Sequence, residues 1–173
     1  MIRSGGTGAP VRALTAFARE IALPDRDDVV PTIRRRWCRF RLFHARSPIH
    51  RWGIYTAHAI PSRRRVIEYT GERIGDDEIR RRSLRHHLYL FWCGPGRAID
   101  GAIGGSGAEF VNHCCEPNLR VSIVRGRIFF VSLRPIRAGE ELTLDYNIMG
   151  DVAVTTCRCG AATCRGSMRR PDH

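Results

Sequence analysis

The chain has 173 residues, 43% hydrophobic and 8% aromatic, which is enough to bury a core without disulfide staples. Arg and Lys number 29 against 17 acidic residues, a net charge of +12, and every one of those cations is arginine. No apolar run approaches the roughly 20 residues of a membrane span, Met1-Ile-Arg-Ser-Gly-Gly6 lacks the apolar core of a secretory leader, and seven unevenly spaced cysteines do not form a secreted disulfide framework. A genomic bias toward arginine accounts for the charge as simply as a surface that attracts nucleic acid or acidic proteins.

Residues 1–33 read as an N-terminal extension, flexible or loosely docked. Within it Val11, Leu14, Phe17, Ala18 and Ile21 share a helical face. The folded part is expected over residues 34–150. Arg39–His44 alternates charged and apolar residues as a half-buried strand does, and Trp52–Ala57 and Val66–Thr70 follow after short turns. Asp76–Arg82 reads as a helix with its acids first and its bases last, the order that the helix dipole favours. Leu88–Trp92 and Ala98–Asp100 are candidate strands. Arg120–Val124 and Arg127–Leu133 flank Arg125-Gly126, a two-residue hairpin connection. Glu141–Tyr146 is the expected final strand. Many short strands with one clear helix and no βαβ period predict a mainly β fold with few short helices.

The strongest chemical signal is Cys157-x-Cys159-x4-Cys164. Three thiols on one tight loop supply most of a tetrahedral zinc site, and Cys115, beside the rigid turn at Pro117, is the natural fourth ligand. The duller reading is a set of free buried thiols. Residues 151–173 are accordingly a zinc-binding segment and tail.

Phe110-Val-Asn-His-Cys-Cys-Glu-Pro-Asn118 resembles the asparagine-histidine signature of SET-domain protein-lysine methyltransferases. Glu140-Glu-Leu-Thr-Leu-Asp-Tyr-Asn147 resembles their closing strand, and Cys157–Met168 their zinc-binding post-SET segment. Ile49-His-Arg-Trp-Gly-Ile-Tyr55 and Glu68-Tyr-Thr-Gly-Glu72 are similar to the opening motifs, in the same order. The resemblance implies a SET-domain β-fold of small sheets with a C-terminal pseudoknot and a zinc-stapled tail. It also implies S-adenosylmethionine bound by Trp52, Gly53, Tyr89, Asn112 and His113, with Tyr146 and Tyr69 as the catalytic tyrosines and Cys115, Cys157, Cys159 and Cys164 on a structural zinc.

The implied activity is methyl transfer from S-adenosylmethionine to lysine in a protein substrate, with histones or other basic, nucleic-acid-associated proteins as candidates. The alternative is a catalytically weak or inactive module that keeps the fold. A monomer away from membranes is expected, cytoplasmic in a bacterium and nuclear in a eukaryote, with nucleic acid near its basic surface. Three positions depart from the family pattern. Arg51 replaces a glycine of the cofactor turn, Cys114 replaces a serine, and Leu144 replaces an aromatic residue that restricts product methylation; this last change predicts products beyond the monomethyl form.

Overall fold

The computed structural model describes residues 30–83, 89–146, 148 and 156–169. The amphipathic stretch between Val11 and Ile21, the start of the Leu88–Trp92 strand and residues 151–155 lie outside the described residues. The elements are β1 (Leu42–Arg46), β2 (Trp52–Thr56), β3 (Arg65–Tyr69), β4 (Glu72–Gly75), α1 (Asp76–Arg82), β5 (Leu90–Gly94), β6 (Arg97–Asp100), β7 (Asn112–His113), β8 (Leu119–Val124), β9 (Arg127–Ser132) and β10 (Thr143–Leu144).

These strands form four small sheets: β1-β2, β3-β9-β8, β4-β6-β5 and the pair β10-β7. The central sheet is the most buried, because β9 lies between two partners and places Ile128 and Phe130 opposite Tyr69 and Ile67. Ile54, Ile60, Leu119, Ile136 and Leu142 close the same core. Each such side chain contributes about 1.5–3 kcal/mol by leaving water. At the β8–β9 turn, Arg125 and Gly126 have φ of +50° and +70°, the left-handed pair that matches the twist of a two-residue hairpin.

α1 has only seven residues, too short to persist alone. Ile79 buries one face of it. Arg82, almost fully buried, reaches Asp100 at 2.6 Å and Glu72 at 2.7 Å and also pairs with Glu78, so its charge is neutralised where water cannot do so.

The closing segment differs from the expected strand. Only Thr143 and Leu144 are in a sheet, running parallel to Asn112 and His113. Its other edge bonds to β2, with Leu142 N–H donating to Ile54 O at 2.7 Å and Glu141 bridging Tyr55. Residues 140–144 therefore lie between β2 and β7. Two short strands, β4 and β7, carry no period long enough to announce them, and β1 begins three residues later than its alternation suggests because Arg39 instead bonds to Val66 O.

Arg51 has φ of +43°. That is the left-handed region, where a residue with a Cβ costs about 1–2 kcal/mol and glycine costs far less. The backbone thus keeps the shape of a glycine turn even with arginine in place.

Candidate active site and metal centre

The turn between β1 and β2 is held by its neighbours. Asn112 Nδ2 donates to Trp52 O at 2.9 Å, to His50 O at 3.3 Å and to Glu141 Oε1 at 2.8 Å. The Glu141 carboxylate also accepts from Ser47 Oγ at 2.8 Å and from the Tyr55 hydroxyl at 3.1 Å. A methyl group on Gly53 would lie 2.2 Å from Glu141 Oε1, so this position admits no Cβ unless the carboxylate leaves all its donors. Glu141 is a hub that sequence reasoning missed, since nothing local shows that it reaches a turn so far back along the chain.

Trp52 packs between the edge of His44 and the guanidinium of Arg46, 4.4 Å above its ring. Its indole Nε1–H is buried and has no acceptor among the described residues, as is also true of Trp37. A buried donor of this kind takes an ordered water or a polar group of a bound molecule. The space beside Gly53 is taken by Glu141, so the open Trp52 donor is the feature of this turn that a polar cofactor group would meet.

The tyrosines converge from three elements. Tyr69, at the end of β3, is buried against Phe91 and Phe130, and its hydroxyl donates to Tyr89 O. A methyl on Gly101 would sit 2.6 Å from that hydroxyl, which is why the chain passes there as glycine. Tyr89 packs on Phe110 with ring centroids 5.9 Å apart. Tyr146 exposes 38% of its surface, and its hydroxyl donates to Val111 O at 2.7 Å. Burial, then the nearby Tyr89 and Glu141, push the Tyr146 pKa up, and burial followed by Glu109 and Asp100 does the same for Tyr69. Both phenols stay protonated at neutral pH.

Glu109 is a second residue that the sequence did not single out. It lies beside Tyr69 behind the loop after β6, and accepts from Gly107 N–H at 2.9 Å. Burial pushes its pKa to about 7 from an ordinary 4.5, against the backbone N–H donors and Arg34. Because the folded pKa is the higher one, the folded state holds a proton that the unfolded chain has lost, and stability falls as pH rises toward 7. The full shift corresponds to about 3 kcal/mol. Glu109→Gln should accordingly be more stable than the parent at pH 8 and nearly equal to it at pH 4.5; equal urea midpoints at both pH values would refute this.

His113 is buried and committed on both ring nitrogens. Nδ1 accepts from Tyr146 N–H at 3.2 Å, which leaves the neutral ring's proton on Nε2, 3.5 Å from Cys115 Sγ. The side chain therefore links the cysteine centre to the backbone of Tyr146.

Cys115, Cys157, Cys159 and Cys164 bring their sulfurs within 4.8 Å of one another. Cys115 Sγ lies 3.7 Å from that of Cys157 and 3.9 Å from that of Cys164. A zinc tetrathiolate with bonds of about 2.3 Å has sulfur–sulfur edges of about 3.8 Å, so the donor set fits. Backbone N–H groups of Cys115, Cys159 and Gly166 point at cluster sulfurs, offsetting thiolate charge. The centre is not the tail's only tether. Arg165 grips Asp145 through two guanidinium nitrogens at 2.6 and 3.2 Å, and Thr163 N–H donates to Glu116 at 3.0 Å.

Parallel pairing of an Asn-His strand with a closing segment that ends on tyrosine, beside a four-cysteine centre, agrees with the family match: residues 51–147 match the SET domain, more than half of the chain. The chain belongs to the SET-domain family. Its relatives include the histone-lysine N-methyltransferases specific for H3 lysine-4 of Saccharomyces cerevisiae (39% identical over 135 residues) and Eremothecium gossypii (38% over 135). That of Mycosarcoma maydis is 36% identical over 138 residues. These alignments cover 70%, 70% and 72% of this chain but only 12%, 14% and 9% of the relatives. Among the described residues no helix is long and apolar enough to cross a membrane.

Proposed function

We propose that the chain is a protein-lysine N-methyltransferase that uses S-adenosylmethionine and acts on a histone, with a structural zinc in the four-cysteine centre. The observation that carries this reading is the meeting of Tyr69, Tyr89 and Tyr146 at the end of the closing segment, next to the Gly53 turn, in a SET-domain chain.

Bound S-adenosylmethionine supplies an electrophilic methyl on a sulfonium. The protein's task is then alignment, which removes on the order of 7–11 kcal/mol of barrier when reactants are held at near-attack distance. Trp52, Gly53, Asn112 and His113 hold the cofactor, and Glu141 fixes the turn that presents it. Tyr69, packed on Phe91, lines the channel for the lysine, and Tyr89, packed on Phe110, stays on the cofactor side. A lysine whose ordinary pKa is about 10.4 loses its proton more readily in such a low-dielectric wall. The protonated hydroxyl of Tyr146 keeps its lone pairs available to orient the amine and the moving methyl group. Four thiolates leave zinc no open position, which makes its role structural.

Leu144 is buried and brings no hydroxyl to the channel, which supports products beyond the monomethyl form. A histone substrate, suggested by the relatives' names, would place a eukaryotic version in the nucleus.

The test is incubation of zinc-loaded protein with labelled cofactor and histone octamers. Label should enter a lysine of histone H3, in di- and trimethyl as well as monomethyl forms. The chain has no lysine side chain of its own to contribute background. Cofactor uptake without transfer to any histone would support the inactive-module alternative instead.

A further inference from the structure

Between two hairpin tips lies a cleft that the methyl-transfer site does not use. Arg73 of β4, Arg97 at the start of β6 and Arg125 at the β8–β9 turn line it, with Gly94, Pro95 and Gly126, around a volume of about 450 Å³. Arg73 Nη1 donates to Gly126 O at 3.0 Å, so the opposite hairpin's backbone orients this guanidinium and leaves its other donors unspent. The left-handed turn at Arg125 and Gly126 fixes the second arginine at the tip.

Of the described arginines, some are matched to acids, Arg82 with Asp100, Arg127 with Glu68, Arg134 with Glu140 and Arg165 with Asp145, whereas others, Arg39, Arg41 and Arg64 among them, stand singly on the surface. What sets the cleft apart is three guanidinium groups on one concave wall. Among the described residues Arg73, Arg97 and Arg125 have no carboxylate at ion-pairing distance. The lining holds no acid; the Asp76 carboxylate packs against Gly96 of the β5–β6 turn, and one acid does not balance three guanidinium groups.

We propose that this cleft is a contact site for the phosphate backbone of nucleic acid. A guanidinium presents paired N–H donors in a fork that fits phosphate oxygens, and a concave wall of one sign focuses the field on an incoming anion. The lining also favours nucleic acid over an acidic peptide. Its apolar elements are Pro95 and Cys93, and the Cys93 thiol is already turned to Arg97 O at 3.6 Å, so no pocket anchors a peptide side chain. A phosphate array needs none. Such contacts position the protein without reading sequence, and they do not depend on methyl transfer.

The experiment compares zinc-loaded parent protein with the triple variant Arg73→Gln, Arg97→Gln, Arg125→Gln by anisotropy of a short labelled DNA duplex, from about 50 to 200 mM salt. A charge-matched control replaces the exposed Arg39, Arg41 and Arg64 by Gln. The expected result is a slope of log K against log salt that falls by about 2–3 in the cleft variant, near 0.9 per lost phosphate contact, with at least tenfold weaker binding at the lowest salt. The single variants Arg97→Gln and Arg125→Gln, both on exposed positions, should each lower the slope by about 1 even if the triple variant folds poorly. Equal losses in cleft variant and control would overturn the proposal in favour of diffuse net charge. So would polyglutamate displacing the duplex as well as unlabelled DNA of equal charge, which would make the cleft an acidic-protein site.

Discussion

If Tyr146 serves the proposed methyl transfer, Tyr146→Phe should lower its rate by at least a hundredfold and leave cofactor affinity within a few-fold. The Tyr146 hydroxyl lies near Tyr89 and donates to Val111 O, and burial keeps it protonated. Losing a preorganised polar group from a dry site typically costs 10²–10³ in rate, about 3–4 kcal/mol. The ring still packs on His113, 5.4 Å away, and the Tyr146 N–H still bonds to His113 Nδ1, so the backbone of the site survives. The price is the Val111 carbonyl, which loses its hydroxyl donor, a destabilisation of about 1–3 kcal/mol. Single-turnover rates with saturating cofactor, beside calorimetric cofactor affinity, separate the two effects. A rate within threefold of the parent would remove Tyr146 from the chemistry.

Cys115→Ser should release the proposed zinc and weaken cofactor binding by at least tenfold. A structural zinc on four cysteines contributes on the order of 10 kcal/mol to the order of the segment it closes, and a serine hydroxyl does not replace a thiolate there. The effect on the cofactor site passes through His113, whose Nε2 faces Cys115 Sγ while its Nδ1 holds the Tyr146 backbone. The tail should not come away entirely, because the Arg165–Asp145 and Thr163–Glu116 contacts remain. Zinc content per chain, proteolysis between residues 156 and 169 and cofactor calorimetry report the three consequences. Cys38→Ser, which alters a thiol outside the cluster, is the control and should retain one zinc. Full zinc content and unchanged cofactor affinity in Cys115→Ser would show that the sulfur is not a ligand.

Much of the fold was legible because its signals are local. The hairpin at Arg125-Gly126 rests on backbone φ, and α1 on acids and bases ordered along a few residues. The closing segment was only partly legible. Leu142 and Leu144 are buried as their shared apolar face predicts, yet just two residues pair in a sheet, since Glu141 and Leu142 bond to β2 and the Tyr146 N–H goes to the His113 ring. Pairings across such distances leave no mark on the residues that make them.

The opening and closing motifs, the three tyrosines and the four cysteines were determined by the sequence, because each is a residue type whose chemistry is visible without a neighbour. The tertiary structure decided what joins them. It set Glu141 against Gly53, with Asn112, Ser47 and Tyr55 as its donors. It turned the His113 ring toward Cys115 and Tyr146, and it buried Glu109 beside Tyr69. A carboxylate, an amide or an imidazole can serve many partners, and which one it meets depends on chain crossings far apart in sequence; burial then makes each of those meetings strong.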